Sequence, residues 1–298
     1  MRIDLHIHTS TGSDGILSVE EVFREARERN INFMSITDHD SVDCQERAIS
    51  LAAEYGIDYI SGVELNVTFQ YNGGIKGDKS HHGEPKSVSL DFLGYQYDID
   101  NQELRQKLEL LRKHRRTRAH RILEKLNTEF ARENIEPFTG EDIKKIEDSV
   151  DGAFGRPHIA GYLVEKGIVS SIQEAFDKYL VRCNVPKLPL SLAEASSLVR
   201  NAGGKLVLAH PNDPNRTSLV SLTSDLSRQA RIIEESVLEY IDGIECWHSR
   251  NDAGTTASYI ELARKHGLLM TGGSDCHQRP LLMGTLDIPD YVAAQFRR

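Results

Sequence analysis

The chain has 298 residues, of which 39% are hydrophobic and 27% are charged, an ordinary composition for a globular protein. The first residues lack a signal-peptide pattern and no apolar stretch is long enough to span a bilayer, which predicts a soluble cytoplasmic protein without a membrane partner. The formal net charge of −9 argues against binding of long duplex nucleic acid, because its phosphates would be repelled.

Short apolar runs alternate with amphipathic stretches in the first part of the chain, until residues 71–86 break the pattern, and strand periodicity returns at residues 88–95. The apolar runs predict strands at residues 2–6, 32–37, 59–67 and 88–95. The first helix follows Ser18, whose capping box is completed by Glu21, and a second helix is predicted over residues 42–55. Because strands and helices alternate, the pattern indicates parallel β–α–β units. Residues 71–86 are rich in glycine, lysine and histidine and predict an exposed loop.

The pattern changes after residue 100. Residues 101–186 show helical patterns without a convincing strand and predict a helical insertion or cap. Their basic run at residues 113–118 is typical of a solvated helix face paired with nearby glutamates. The alternation resumes at Ser191, where Glu194 completes another capping box. Further strands are predicted at residues 205–209, 243–246 and 268–271.

Ionisable residues cluster where the predicted strands end. His6 and His8 flank Ile7, so both imidazoles point to one face of a strand. The later strands are followed by further histidines and acidic residues, namely Asp38, His39, Glu64, His210, Asp275 and His277. In a parallel α/β barrel the C-terminal strand ends converge on one functional face. These side chains are therefore expected to form one site.

Imidazoles and carboxylates are ligands of zinc, manganese and iron, and a carboxylate can bridge two ions. Two or three ions set close together can activate water and neutralise charge on a phosphoryl group. A lone histidine or aspartate at a strand end is more often a helix cap or a satisfied polar group, and one His-x-His pair is weak evidence. Five such sites at successive strand ends favour a metal centre. Its positive charge would admit small phosphorylated substrates despite the negative net charge.

The motifs occur in the order DLHIHT, SDG, ITDHD, GVE, AHP and GSDCH, between residues 4 and 277. Their order resembles the polymerase and histidinol phosphatase (PHP) family, and most closely its stand-alone members that act as phosphoesterases on nucleotides and short RNA. The resemblance implies an α/β fold, a distorted (β/α)7 TIM-like barrel with a helical insertion. Residues 1–100 and 187–298 would form the barrel, and residues 101–186 would form the insertion.

The resemblance also implies eight metal ligands at matching positions, which are His6, His8, Asp14, His39, Glu64, His210, Asp275 and His277. The DLHIHT histidines, Glu64 and Asp275 would hold a first ion. Glu64 would bridge to a second ion that also binds His210. The aspartate of SDG would hold a third ion together with His39 and His277. Glu64, Asp275 and His210 are accordingly the predicted catalytic residues.

One position departs from the family pattern. Asp91, in the segment LDFLGY, stands where a family motif resembling H-x-x-G-Y supplies another histidine to the second ion. A carboxylate at that position would favour manganese or iron over zinc. Asp91 is the predicted ligand, and the alternative is that His81 or His82 from the preceding loop completes the site.

Four residues are predicted to contact the substrate. Arg156 and His158 begin an amphipathic helix of the insertion, where the helix N-terminus also favours an anion. A structural ion pair is the alternative role of Arg156. Trp247 and His248 follow a predicted strand and are expected to open onto the same face. Trp247 could stack on a base or simply pack under the insertion.

Together these observations predict a metal-dependent phosphoesterase that uses two or three divalent ions (manganese, iron or zinc) and a metal-activated hydroxide. The expected partner is a small phosphorylated substrate, such as a nucleoside 3′,5′-bisphosphate or the 5′ end of short RNA. One alternative is histidinol phosphate as the substrate. The other is a non-catalytic metal-binding module, but such modules of the family usually show eroded ligands, whereas only Asp91 departs here.

Overall fold

Strands and helices in the described part of the chain build a mixed α/β fold. The computed structural model describes residues 1–71, 86–148, 155–214 and 217–297. The strands are β1 (Ile3–Ile7), β2 (Phe33–Ile36), β3 (Asp58–Tyr59), β4 (Gly62–Tyr71), β5 (Lys86–Tyr95), β6 (Lys205–Leu208), β7 (Gly243–His248) and β8 (Leu269–Gly273). The α-helices are α1 (Val19–Glu28), α2 (Gln45–Tyr55), α3 (Gln102–Glu133), α4 (Gly140–Asp148), α5 (Arg156–Glu165), α6 (Ile172–Ala175), α7 (Leu192–Asn201), α8 (Leu226–Ser236), α9 (Ala253–His266) and α10 (Tyr291–Ala294).

The strands form two sheets. In the first sheet the order is β1-β2-β3 and the neighbours run parallel. In the second sheet the order is β4-β5-β6-β7-β8, and only the neighbours from β6 to β8 run parallel. β5, which follows the segment that interrupts the predicted alternation, is antiparallel to both β4 and β6. Parallel neighbours need a crossover connection, whereas antiparallel neighbours do not. The single strand predicted over residues 59–67 is divided between β3 and β4.

The two sheets touch at two places. Ile7 forms an isolated parallel bridge with Cys276, just after β8, and the Asp275 amide donates to the His6 carbonyl at 2.8 Å. At the second place His39, just after β2, forms an isolated parallel bridge with Glu64 near the start of β4. These contacts bring the ends of β1, β2, β4 and β8 together, and most of the predicted polar residues lie at those ends.

Local sequence signals explain where the helices begin. The Ser18 hydroxyl accepts from the Glu21 amide at 3.3 Å and the Glu21 carboxylate accepts from the Ser18 amide at 2.8 Å, which confirms the first capping box. At α7 the Ser191 hydroxyl accepts from the Glu194 amide at 3.2 Å. The Glu194 carboxylate, however, pairs with Lys107 of α3 at 2.6 Å, so this residue ties the insertion to the sheets.

The helices from α3 to α6 have an apolar core of their own. Phe130 of α3 makes edge-to-face contacts with Phe138 and Tyr179, at ring distances of 5.2 and 5.4 Å. Arginines on the N-terminal half of α3 pair with acids near α2, including Arg105 with Glu46 at 3.3 Å. None of the helices in the described ranges is both long and apolar enough to cross a membrane.

Candidate metal centre and substrate cavity

The two histidines of β1 start the site. The Nε2 atoms of His6 and His8 lie 3.1 Å apart, as expected for two side chains on one face of the strand. Gly273 at the end of β8 allows this packing, since a Cβ atom there would lie 2.3 Å from the Cβ atom and the amide of His6. Both histidines are buried, at 0% and 2% exposure. The strand ends thus place two imidazoles side by side in the interior.

Glu64 lies at the centre of the cluster. Its Oε2 atom lies 3.4 Å from His6 Nε2, 3.2 Å from His8 Nε2 and 3.0 Å from His39 Nδ1. Its Oε1 atom lies 3.0 Å from His210 Nε2. One buried carboxylate therefore touches four imidazoles, which is the position that a bridging ligand requires.

Asp275 and His277 complete the cluster from beyond β8. Asp275 Oδ1 lies 3.4 Å from His8 Nε2 and 3.2 Å from His277 Nδ1. His277 Nε2 lies 3.2 Å from Asp14, which is also 3.7 Å from His39 Nε2. His8, Asp14, His39 and His277 have ligand atoms that all lie within 4.8 Å of one another. The residues predicted for a third ion are thus brought together.

The backbone is constrained at two of these residues. His210 has a backbone φ of 25° and Asp275 a backbone φ of 53°, values that residues with a Cβ atom seldom adopt. Such conformations cost free energy and persist only where surrounding contacts hold them. At His210 the contact is visible, because its amide donates to Glu245 Oε2 at 2.7 Å.

Glu245 contacts the cluster and was missed by the sequence analysis. It lies on β7 with no exposed surface, and its other oxygen lies 3.0 Å from His6 Nδ1. With that nitrogen donating to the carboxylate, the Nε2 lone pair of His6 faces the cluster. The available signal was a charged residue inside the apolar run GIEC, since a buried acid needs a partner.

The donor set fits divalent cations. Burial lowers the pKa of His210, but Glu64 outweighs this and raises the pKa to about 9. Burial also lowers the pKa of His277, but Asp14 and Asp275 outweigh this and raise the pKa to about 10. Without metal, protons supply the positive charge that these carboxylates demand. Imidazole and carboxylate lone pairs that converge in this way are ligands for first-row divalent ions.

Asp91 lies on β5 at the edge of the cluster. Its Oδ2 atom is 3.9 Å from His210 Nε2, and Glu64, Asp91 and His210 form one group of potential ligands. Asn66 donates to its Oδ1 atom at 2.6 Å, and the Thr217 hydroxyl donates to Oδ2. Asp91 is therefore held where the second ion is predicted. His81 and His82, the alternative ligands, lie outside the described residues.

A cavity of about 370 Å³ opens beside the cluster, in the size range of small-molecule sites. Asp14, His39 and Asp91 line it. Four cations, mostly from the insertion and here called the cationic wall, also line it, namely Arg115, Arg118, Arg156 and Lys187. The cavity thus joins a candidate metal centre to a positively charged surface.

Two of the four predicted substrate residues line this cavity. Arg156 lies over the Phe176 ring at 5.3 Å, and His158 accepts from the Gly155 amide at 3.2 Å through Nδ1. Trp247 is elsewhere, edge-to-face with Tyr291 at 6.1 Å. Its base-stacking role stays a prediction without a contact to the cavity lining.

His248, the fourth predicted substrate residue, is buried away from the cavity. It is 2% exposed, and its Nε2 atom lies 3.5 Å from Asp275 Oδ2. The structure thus places His248 behind a candidate metal ligand rather than among the residues that line the cavity. Its role in substrate binding stays a prediction.

The basic run at residues 113–118 is not wholly the solvated face that was predicted. Arg118 is only 6% exposed, and both Arg115 and Arg118 line the cavity. Arg115 pairs with Asp40, the residue after His39. The sequence reasoning missed them because a charged helix face looks alike whether water or a cavity covers it.

Buried imidazoles and carboxylates beside a cation-lined cavity define a metal-dependent hydrolase for anionic esters. The sequence model of the PHP domain family matches residues 4–266, and the chain belongs to this family.

Similar proteins agree with that assignment. The 5′-3′ exoribonuclease Rnm of Escherichia coli is 29% identical, over 92% of this chain and 85% of the relative. The 3′,5′-nucleoside bisphosphate phosphatase of Chromobacterium violaceum is 28% identical, over 92% of this chain and 87% of that enzyme. Among solved structures, a candidate metal-dependent phosphoesterase of Bifidobacterium adolescentis has a TM-score of 0.73 at 28% identity, covering 98% of this chain and 94% of that one. These findings confirm the predicted family and the prediction of a phosphoric ester hydrolase.

Proposed function

We propose that the protein hydrolyses phosphate esters of nucleotides, either nucleoside 3′,5′-bisphosphates or the 5′ ends of short RNA. The observation that carries the proposal is the cavity of about 370 Å³, which is lined both by residues of the ligand cluster and by the cationic wall. A phosphate at the cluster leaves room for the rest of a nucleotide, and the wall offers donors for its anionic groups. The activities named for the two curated relatives, an exoribonuclease and a bisphosphate phosphatase, support this substrate class.

Different residues of the site are proposed to bind metal and to bind substrate. Two or three divalent ions, manganese, iron or zinc, would be held by the eight motif ligands and Asp91, and would supply the charge that activates water and neutralises phosphoryl oxygens. Glu64 touches four imidazoles and is proposed as the bridge, with His210 and Asp275 on either side. Arg156 and His158 are proposed to orient the phosphate from the cavity side.

The proposal includes the architecture. The contacts of β1 with β8 and of β2 with β4 support closure of the two sheets into a distorted (β/α)7 barrel. Residues 1–100 and 187–298 are proposed as the barrel. Residues 101–186 are proposed as the insertion, and the separate apolar core around Phe130 supports that boundary.

A substrate screen tests the function. Protein loaded with Mn²⁺ should release phosphate from nucleoside 3′,5′-bisphosphates or nucleotides from 5′-phosphorylated short RNA, and should be slow on histidinol phosphate. Protein prepared with a chelator should be inactive and should recover when Mn²⁺ is restored. Preference for histidinol phosphate would select that alternative instead. Full metal occupancy without hydrolysis of any ester would favour the non-catalytic module.

A further inference from the structure

Arg118 is a buried cation without a carboxylate partner. Its Nε atom donates to the Val185 carbonyl at 2.5 Å, and one terminal nitrogen donates to the Asn184 side chain at 2.7 Å. Both acceptors are neutral, and within the described ranges no acid lies within ion-pair distance of this guanidinium. A buried ion is expensive unless it is paired, so an unpaired one calls for a partner.

The surroundings of Arg118 add positive charge instead of compensating it. Burial, together with the neighbouring charges of Arg156 and Arg115, lowers the pKa of Arg118 to about 10. Arg115 is neutralised by Asp40, whereas Arg156 lies over the face of the Phe176 ring and pairs with no carboxylate among the described residues. Within that part of the chain, Arg118 and Arg156 therefore face the cavity as two uncompensated cations, and an anion from outside the protein would balance them.

The metal centre does not supply that anion, because the side-chain hydrogen bonds of Arg118 go to Val185 and Asn184 and, within the described ranges, no candidate metal ligand lies within ion-pair distance of it. We propose that Arg118 determines specificity by binding a second anionic group of the substrate, a phosphate distinct from the one that is hydrolysed. The inference rests on the proposed function. With this contact, the site would prefer esters with two phosphate groups over esters with one. Val185 and Asn184 hold the guanidinium in place, so the subsite exists before the substrate arrives.

The test compares two substrates that differ by one group, a nucleoside 3′,5′-bisphosphate and the matching nucleoside 3′-monophosphate. The wild-type protein should show the higher kcat/KM with the bisphosphate. Arg118→Gln should reduce the ratio of the two kcat/KM values at least about tenfold, the size expected for loss of a charge-assisted contact. Arg118→Lys keeps the charge and should give an intermediate ratio. Arg121→Gln, an equal change of charge at an exposed position on the same helix, should leave the ratio as it is.

An unchanged ratio in Arg118→Gln, or an equal loss on both substrates, would overturn the inference. If Arg118→Gln does not fold, Arg118→Lys takes its place. A ratio of the two kcat/KM values that is lower in the wild type than in Arg118→Lys would then overturn the inference. Calorimetric binding of adenosine 5′-monophosphate to the protein as purified separates this inference from the function itself. A loss of affinity in Arg118→Gln but not in Arg121→Gln would uphold the anion subsite even if no ester were hydrolysed. Hydrolysis without any effect of Arg118 would leave the proposed function intact and reject the subsite.

Discussion

Replacement of Glu64 by glutamine removes one negative charge from the centre of the site and keeps the shape of the side chain. The two oxygens of Glu64 contact four imidazoles at 3.0 to 3.4 Å, and the residue is 1% exposed. An amide cannot neutralise two cations and places an N–H group against at least one imidazole. We therefore expect Glu64→Gln to lose most of its bound metal and its catalytic activity.

The size of the effect follows from these contacts. Removal of one group that stabilises developing charge in an enclosed site costs about 2.7–4 kcal/mol, or about 10²–10³ in kcat. In metal-free protein the same change leaves protonated imidazoles without their carboxylate. Breaking a buried pair in this way costs about 3–5 kcal/mol of unfolding free energy. Glu20→Gln is the matched control, because Glu20 pairs with Arg47 at 2.7 Å with both side chains half exposed, and it should cost less than about 1 kcal/mol.

Three measurements on the same preparations check this prediction. Elemental analysis gives metal content, steady-state kinetics with a nucleoside bisphosphate gives kcat, and urea unfolding of chelator-treated protein gives stability. Circular dichroism at low denaturant shows whether the variant is folded. Near-wild-type metal content and activity in folded Glu64→Gln would refute the bridging role. Loss of activity with full metal content would place Glu64 in catalysis rather than in metal binding.

Other predictions follow from neighbouring residues. Asp91→His should retain activity and shift metal preference from manganese or iron toward zinc, while Asp91→Ala should selectively empty one position; unchanged metal content in Asp91→Ala would refute the assignment. Glu245→Gln should weaken metal binding about 10–100-fold, measured by competition with a chelating dye, because it loosens the imidazole of His6. The pKa values of His210 and His277 are raised to about 9 and 10, so their protons stabilise the metal-free fold fully below pH 6.5, and this contribution is lost as pH rises through 9 to 10. Metal must displace those protons, so apparent affinity should increase with pH over this window, with proton release detectable by calorimetry in two buffers.

Much of the site could be predicted from the sequence because its ligands occur in short motifs at strand ends. A period of two in DLHIHT is enough to place His6 and His8 on one face. The position of Glu64 follows from the end of an apolar run. Chemistry limits the choices further, since few residue types bind first-row metals. Local sequence and ligand chemistry therefore determined the predicted cluster.

Features that depend on distant contacts were not predictable in the same way. An apolar run reports that a strand is buried but not its direction, so the antiparallel position of β5 was missed. Arg118 is buried by residues 184 and 185, which follow it in sequence by more than sixty positions. Glu245 shows its role only when β7 lies beside β1 and its oxygen meets His6. In each case the missing information was the tertiary partner.

The charge of the site links the number of bound ions to the cationic wall. The candidate ligands include four carboxylates, which belong to Asp14, Glu64, Asp91 and Asp275. Two divalent ions would only neutralise them, so a phosphate dianion would gain little net attraction from the centre as a whole. A third ion would leave the centre positive. With two ions, attraction of a phosphorylated substrate depends on the cationic wall, and the loss of Arg118 then raises KM strongly. With three ions the same loss affects mainly the choice between substrates with one and two phosphates.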